Sequence, residues 1–219
     1  MRIFRPMSRT IVCAALSLVF ATAVIVVAAA AQAQGSCPPI IASLLPKNGV
    51  VRGGQYQNFE GGMGIGSGSA DIPFEHRCIK SIKYPASISI KVTYYGGEMV
   101  AVFKMQGDAP NERFINDEFR GLEVEKETLR PAMSEPKREK LAGGEIVYAE
   151  YMSECPPEKD VMADVGEMIV PNVKLKGVTR TDNANLQVTL EGLISVDAAK
   201  AAVTEVFENL KKADFSKVK

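Results

Sequence analysis

Two stretches of this chain switch from a two-residue to a 3.6-residue apolar period, and that switch limits the architecture more than any other feature. Ile88, Ile90, Val92 and Tyr94 alternate with Ser89, Lys91 and Thr93; Gly96-Gly97 breaks the run and Met99 to Met105 resumes it. This predicts a hairpin with a glycine turn. Asp108 and Pro110 then open a helix in which Phe114, Ile115, Phe119 and Leu122 recur at helical spacing, while Leu122 to Leu129 suits a helix or an exposed strand equally. Further on, Val173 to Thr181 and Leu186 to Ile194 form a second hairpin across Asp182-Asn183-Ala184-Asn185. Ser195 caps a last helix with Asp197 in its first turn, a stripe of Ala199, Val203, Val206, Phe207 and Leu210, and Lys211 and Lys212 at its negative end.

Strand pairs followed by helices describe an α+β domain, an antiparallel sheet built from hairpins with helices packed on one face. An offset of 88 aligns Val100 with Val188, Val102 with Leu190, Ile115 with Val203, Phe119 with Phe207 and Leu122 with Leu210, which raises a duplicated ββα unit as a variant of this fold. Glu145 to Met152 is a further strand candidate after the charged run Glu135 to Lys140. Val161, Met162, Val165, Met168 and Ile169 fit a helix ended by Pro171.

The N-terminal third is organised differently. Arg2, Arg5 and Arg9 precede an apolar run from Ile11 to Ala30, and Ala31-Gln32-Ala33 supplies the small residues of a signal-peptidase site. Residues 1–33 therefore read as a signal peptide and the protein as periplasmic or secreted. The run is long enough to approach a membrane span, so the alternative is an inner-membrane anchor over residues 11–30. Gly35-Ser36-Cys37 resembles the end of a bacterial lipobox, but Gln34 stands where an aliphatic residue belongs. Residues 34–75 read as an N-terminal short helix at Pro38 to Leu45 followed by a glycine-rich loop, and residues 76–219 as the α+β domain. The glycines from Gly61 to Gly68 lack the following helix and the G-K-[ST] of a phosphate cradle, and suit a surface loop.

Without residues 1–33 the 26 basic residues fall to 23 against 26 acids. That balance leaves no footprint for nucleic acid. Cys13 lies in the signal, leaving Cys37, Cys78 and Cys155, and an oxidising compartment favours a disulfide between two of them, with Cys37 bridged to Cys78 or Cys155. The spacing of these cysteines and of His76 matches no zinc or haem motif, so neither metal nor cofactor is expected. His76 is the single histidine, and any triad would have to run through it. The leading expectation is an exported, non-enzymatic protein that binds a protein partner or small ligand through its sheet face and glycine loop. The alternative is a thiol- or metal-dependent enzyme using Cys78 and His76.

Overall fold

The computed structural model describes residues 37–73, 86–130, 132–154 and 169–217. Among these, seven strands form one antiparallel sheet: β1 (Val50–Phe59), β2 (Met63–Ile72), β3 (Ala86–Tyr95), β4 (Lys137–Leu141), β5 (Gly144–Glu154), β6 (Ile169–Arg180) and β7 (Ala184–Gly192). The helices are α1 (Pro39–Ala42), α2 (Met99–Gln106), α3 (Ala109–Thr128) and α4 (Val196–Lys212), with a 3-10 turn at Phe215–Lys217. The sheet order is β1-β2-β3-β7-β6-β5-β4. Two meanders, β1 to β3 and β4 to β7, thus meet along β3 and β7, where Ile88 lies opposite Leu190 and Val92 opposite Leu186. The α+β class and the sheet of hairpins are as the sequence indicates.

Alternation assigns the two faces. Ile88, Ile90, Val92, Leu186, Val188, Leu190, Leu175, Val173, Ile146 and Tyr148 point one way and form the main core with α4 and α1. All five stripe residues of α4 are buried in it, each large side chain contributing about 1.5–3 kcal/mol relative to exposure. Ser195 caps α4 as expected, its Oγ accepting from Ala198 N at 3.3 Å, and Phe207 lies over Gly144 and Gly177, where a side chain would collide with its ring.

The opposite face carries a second, smaller core of Val147, Ala149 and Val178 under Ile115 and Leu122 of α3. Salt bridges from Lys174 to Glu125 (2.5 Å) and Lys176 to Glu118 (3.6 Å) fasten α3 to β6. Helices therefore cover both faces, not one. Residues alternating along β5 explain it: both parities are apolar there, as in a strand buried on two sides.

Further readings are corrected. The glycine-rich segment is no loop but the hairpin β1–β2, continuous with the rest of the sheet. Met99 to Met105 is helix α2 rather than the second arm of a hairpin; Phe103, its buried side chain, stacks on Tyr95 at 4.3 Å with Arg180 across its ring. Leu122 to Thr128 continues α3. With Val100 and Val102 helical, the 88-residue offset pairs α3 with α4 but has no matching strand, and the two helices lie on opposite faces. The charged run ends as edge strand β4, and Ile169 and Pro171 belong to β6. Residues 161–168 of the expected Met-bearing helix lie outside the described residues.

The glycines of β2 have a packing role. Gly64, Gly66, Gly68 and Ala70 share the main-core face, and the side chains of Ile41 and Tyr56 occupy the space that Cβ atoms would fill. Tyr56 and Tyr94 in turn stack on Phe215, at ring separations of 6.0 and 5.3 Å. The C-terminal turn is held there by Asp214, whose carboxyl is lowered to about 2, first by the Ser216 hydroxyl and then by Lys217.

Candidate functional site: an open polar sheet face

The covering of the sheet stops halfway. On the α3 side, β5 and β6 are roofed by α3, whereas β1, β2, β3 and β7 present side chains to solvent in ordered rungs. Register gives their composition: Gln55, Ser67, Lys91 and Gln187 form one rung, and Gly53, Ser69, Ser89 and Thr189 the next. On the other side of the first, Gln57, Ile65, Thr93 and Asn185 follow. β2, β3 and β7 bury their alternate residues in the main core, and β1 packs the half-buried Tyr56 against it, so a largely dry layer lies beneath the face.

Two adjoining depressions lie here. One of about 580 Å³ is lined by Gln55, Gln57, Phe59, Ile65, Ser67 and Lys91 together with Tyr56 and Gly66. The other, about 530 Å³, is lined by Gly53, Gln55, Ser67, Ser69 and Ser89 among others. Lys91 stands at the middle of the face, exposed, and makes no ion pair with any described residue. Lys137 and Lys140 on edge strand β4 share that lack of an ion pair, but lie at the far edge of the sheet. Lys174, Lys176 and Lys200 are each bound to a carboxylate.

A third depression of about 510 Å³, between the β4–β5 turn, the start of α3 and the end of β6, is richer in charge. Part of its charge is engaged, while Glu112 and Lys140, which also line it, make no ion pair with a described residue. Arg180 pairs with Asp108 at 3.5 Å and donates to the Phe103 carbonyl at 3.2 Å, and Glu145 is bound by Arg138. The cluster of Glu139, Tyr148 and Lys200 is similarly closed. Tyr148 donates to Glu139 at 2.8 Å and Lys200 to Glu139 at 2.5 Å, and these hydrogen bonds, that from Lys200 foremost, hold the Glu139 carboxyl below its ordinary range.

Of the cysteines, Cys37 lies half-buried over Gly54 at the start of α1 and is not bridged to a described residue. Burial pushes its thiol up, away from the thiolate that attacks or ligates. Cys78, Cys155 and His76 lie outside the described residues. Among the described residues no group of three or more His, Cys, Asp or Glu side chains is placed to hold a metal ion, and no helix is long and apolar enough to cross a membrane. Gly64, Gly66 and Gly68, expected in a surface loop, lie within β2 and face the core.

Sequence reasoning identified Ser89, Lys91 and Thr93 as the polar side of β3. It missed Gln55, Gln57, Ser67 and Ser69, because the glycines around them mask the alternation that marks a strand. The signal that was present is the period of two in Gly64, Gly66, Gly68 and Ala70 themselves.

Comparison of the chain with protein-family models, with curated proteins and with solved structures gives no match.

Proposed function

We propose that this chain is an exported, non-enzymatic binding protein, periplasmic or secreted, with residues 1–33 as its signal peptide and the open face of β1, β2, β3 and β7 as its binding surface. The observation that carries the reading is Lys91, an ammonium group without an ion-pair partner among the described residues, at the centre of a hydroxyl- and amide-rich face on a rigid sheet. Such a surface suits a polar ligand or a polar partner segment that brings several hydrogen-bonding groups and one anionic group to the lysine. The pairing of the strands fixes the spacing of Ser67, Ser69, Ser89 and Thr189 along and across the sheet, and that spacing supplies the specificity. The alternative, a thiol- or metal-dependent enzyme using Cys78 and His76, gains nothing from Cys37, whose thiol burial raises, or from the paired Glu139 and Lys200.

The test is site-specific photo-crosslinking in the cell of origin, with a photoreactive residue at Ser89 and, as control, at Asp182 in the β6–β7 turn. A discrete adduct at Ser89, absent at Asp182 and reduced at least about tenfold by Lys91→Glu, is the expected result. Equal labelling at the two positions, or an adduct indifferent to Lys91→Glu, would assign binding elsewhere.

A further inference from the structure

The two edges of the sheet are built differently. β4 is five residues long, reads Lys137-Arg138-Glu139-Lys140-Leu141, and is protected in the manner of natural edges, being short and charged. β1 is ten residues long and its single charged side chain, Arg52, is neutralised by Asp71 at 2.5 Å. Of the eight large apolar side chains exposed among the described residues, three lie on β1: Val50 at 63%, Val51 at 41% and Phe59 at 39%. A long, uncharged edge with apolar ends is a template for another strand.

The register of β1 identifies which strand fits. Val50 lies opposite Asp71 of β2 and Phe59 opposite Met63. These partners are an even number of residues apart, so Val50 and Phe59 stand on the same face once Arg52 is taken up as the bulged residue. Midway between Asp71 and Met63 is Ser67, whose partner on β1 is Gln55. An antiparallel copy of β1 placed about a two-fold axis at Gln55 therefore brings Val50 of each chain against Phe59 of the other, on one face, with Gly53 opposite Gln57 between them. The strand is complementary to itself, as an isologous contact demands.

We propose that β1 is a homodimerisation edge, at which two copies of this chain join their sheets antiparallel about Gln55. The contact is made by the β1 edge, although Gln55, Gln57 and Phe59 also line the first depression of the open face. The association joins two preformed edges, so it needs no unfolding, and the central segment from Gly53 to Gln57 avoids the bulge.

The experiment uses protein recovered in processed form from cells expressing the full sequence, and combines sedimentation velocity with oxidative crosslinking. Gln55→Cys places two sulfurs directly opposite, within disulfide reach on paired strands. It is expected to give a reducible dimer under mild oxidation beyond that of the unsubstituted chain, whereas Gln57→Cys, facing Gly53 instead of itself, is not. Val50→Lys is expected to weaken the dimer about tenfold, and adding Phe59→Glu to restore it to within about threefold through an opposite-charge pair. All these side chains are exposed or half-exposed, and an unchanged circular dichroism spectrum confirms that each variant is folded. A monomer at every concentration, equal crosslinking of the Gln55→Cys and Gln57→Cys variants, or Val50→Lys without effect would each overturn the proposal.

Discussion

At the scale of single residues, the inward-facing glycines of β2 leave no room for a side chain. A Cβ at Gly66 would sit 2.8 Å from the Tyr56 ring and closer still to Ile41, whereas a Cβ at Gly53 meets nothing within 4 Å. Gly66→Ala should therefore lower the unfolding free energy by about 1–3 kcal/mol, the cost of overfilling a packed core, while Gly53→Ala should leave it within about 0.5 kcal/mol. Urea denaturation of the pair measures both. Equal effects would mean that Ile41 and Tyr56 are not seated on β2 as described. The same glycines explain what escaped the sequence reading. A strand whose inward residues are glycine has no apolar alternation of its own, because its apolar complement arrives from Ile41 and Tyr56, and neither is adjacent in sequence. The binding face was legible to the extent that alternation was visible, at Ser89, Lys91 and Thr93, and hidden where glycine erased it.

At the scale of elements, legibility followed self-sufficiency. Helix α4 carries its own cap at Ser195, its own stripe and its own terminal charges, so nothing from elsewhere is needed to recognise it. Helix α2 is the opposite case: Val100, Val102 and Phe103 favour a strand intrinsically, and a turn at Gly96-Gly97 followed by stacking of Phe103 between Tyr95 and Arg180 overrides that preference. Whether helices take one face or two depends on which strands are apolar on both sides, and in β5 adjacent Ile146, Val147, Tyr148 and Ala149 carried that information. The C-terminal turn is the smallest element with a testable share in stability. Phe215 is 4% exposed and stacks on two tyrosines, so Phe215→Ala should cost about 3 kcal/mol. Denaturant unfolding monitored by tyrosine fluorescence reports it, and a loss below about 1 kcal/mol would show the turn to be peripheral.

At the scale of the whole molecule, the neighbours in the sheet are successive strands everywhere except at β3 and β7. All other pairings close over short range, and this one waits for the chain between Tyr95 and Ala184 to be in place. The seam divides the polypeptide into two halves of unequal obligation: β1 to β3 with α2 and α3 on one side, β4 to β7 with α4 on the other, and α3 reaching across to roof β5 and β6. A polypeptide interrupted between Arg130 and Lys137 keeps each hairpin entire, and the two pieces have the β3–β7 ladder, the α3 face, the contacts of α1 with α4, the Phe103–Arg180 contact and the seat of Phe215 left to make together. Co-expressed fragments ending at Arg130 and starting at Pro131 should copurify as a folded complex with the circular dichroism of the uncut chain, while each alone remains largely unstructured. Failure to copurify would mean that the seam forms early and organises the rest. Success would make the β3–β7 line a place where this protein can be assembled from two gene products, with folding made conditional on their meeting.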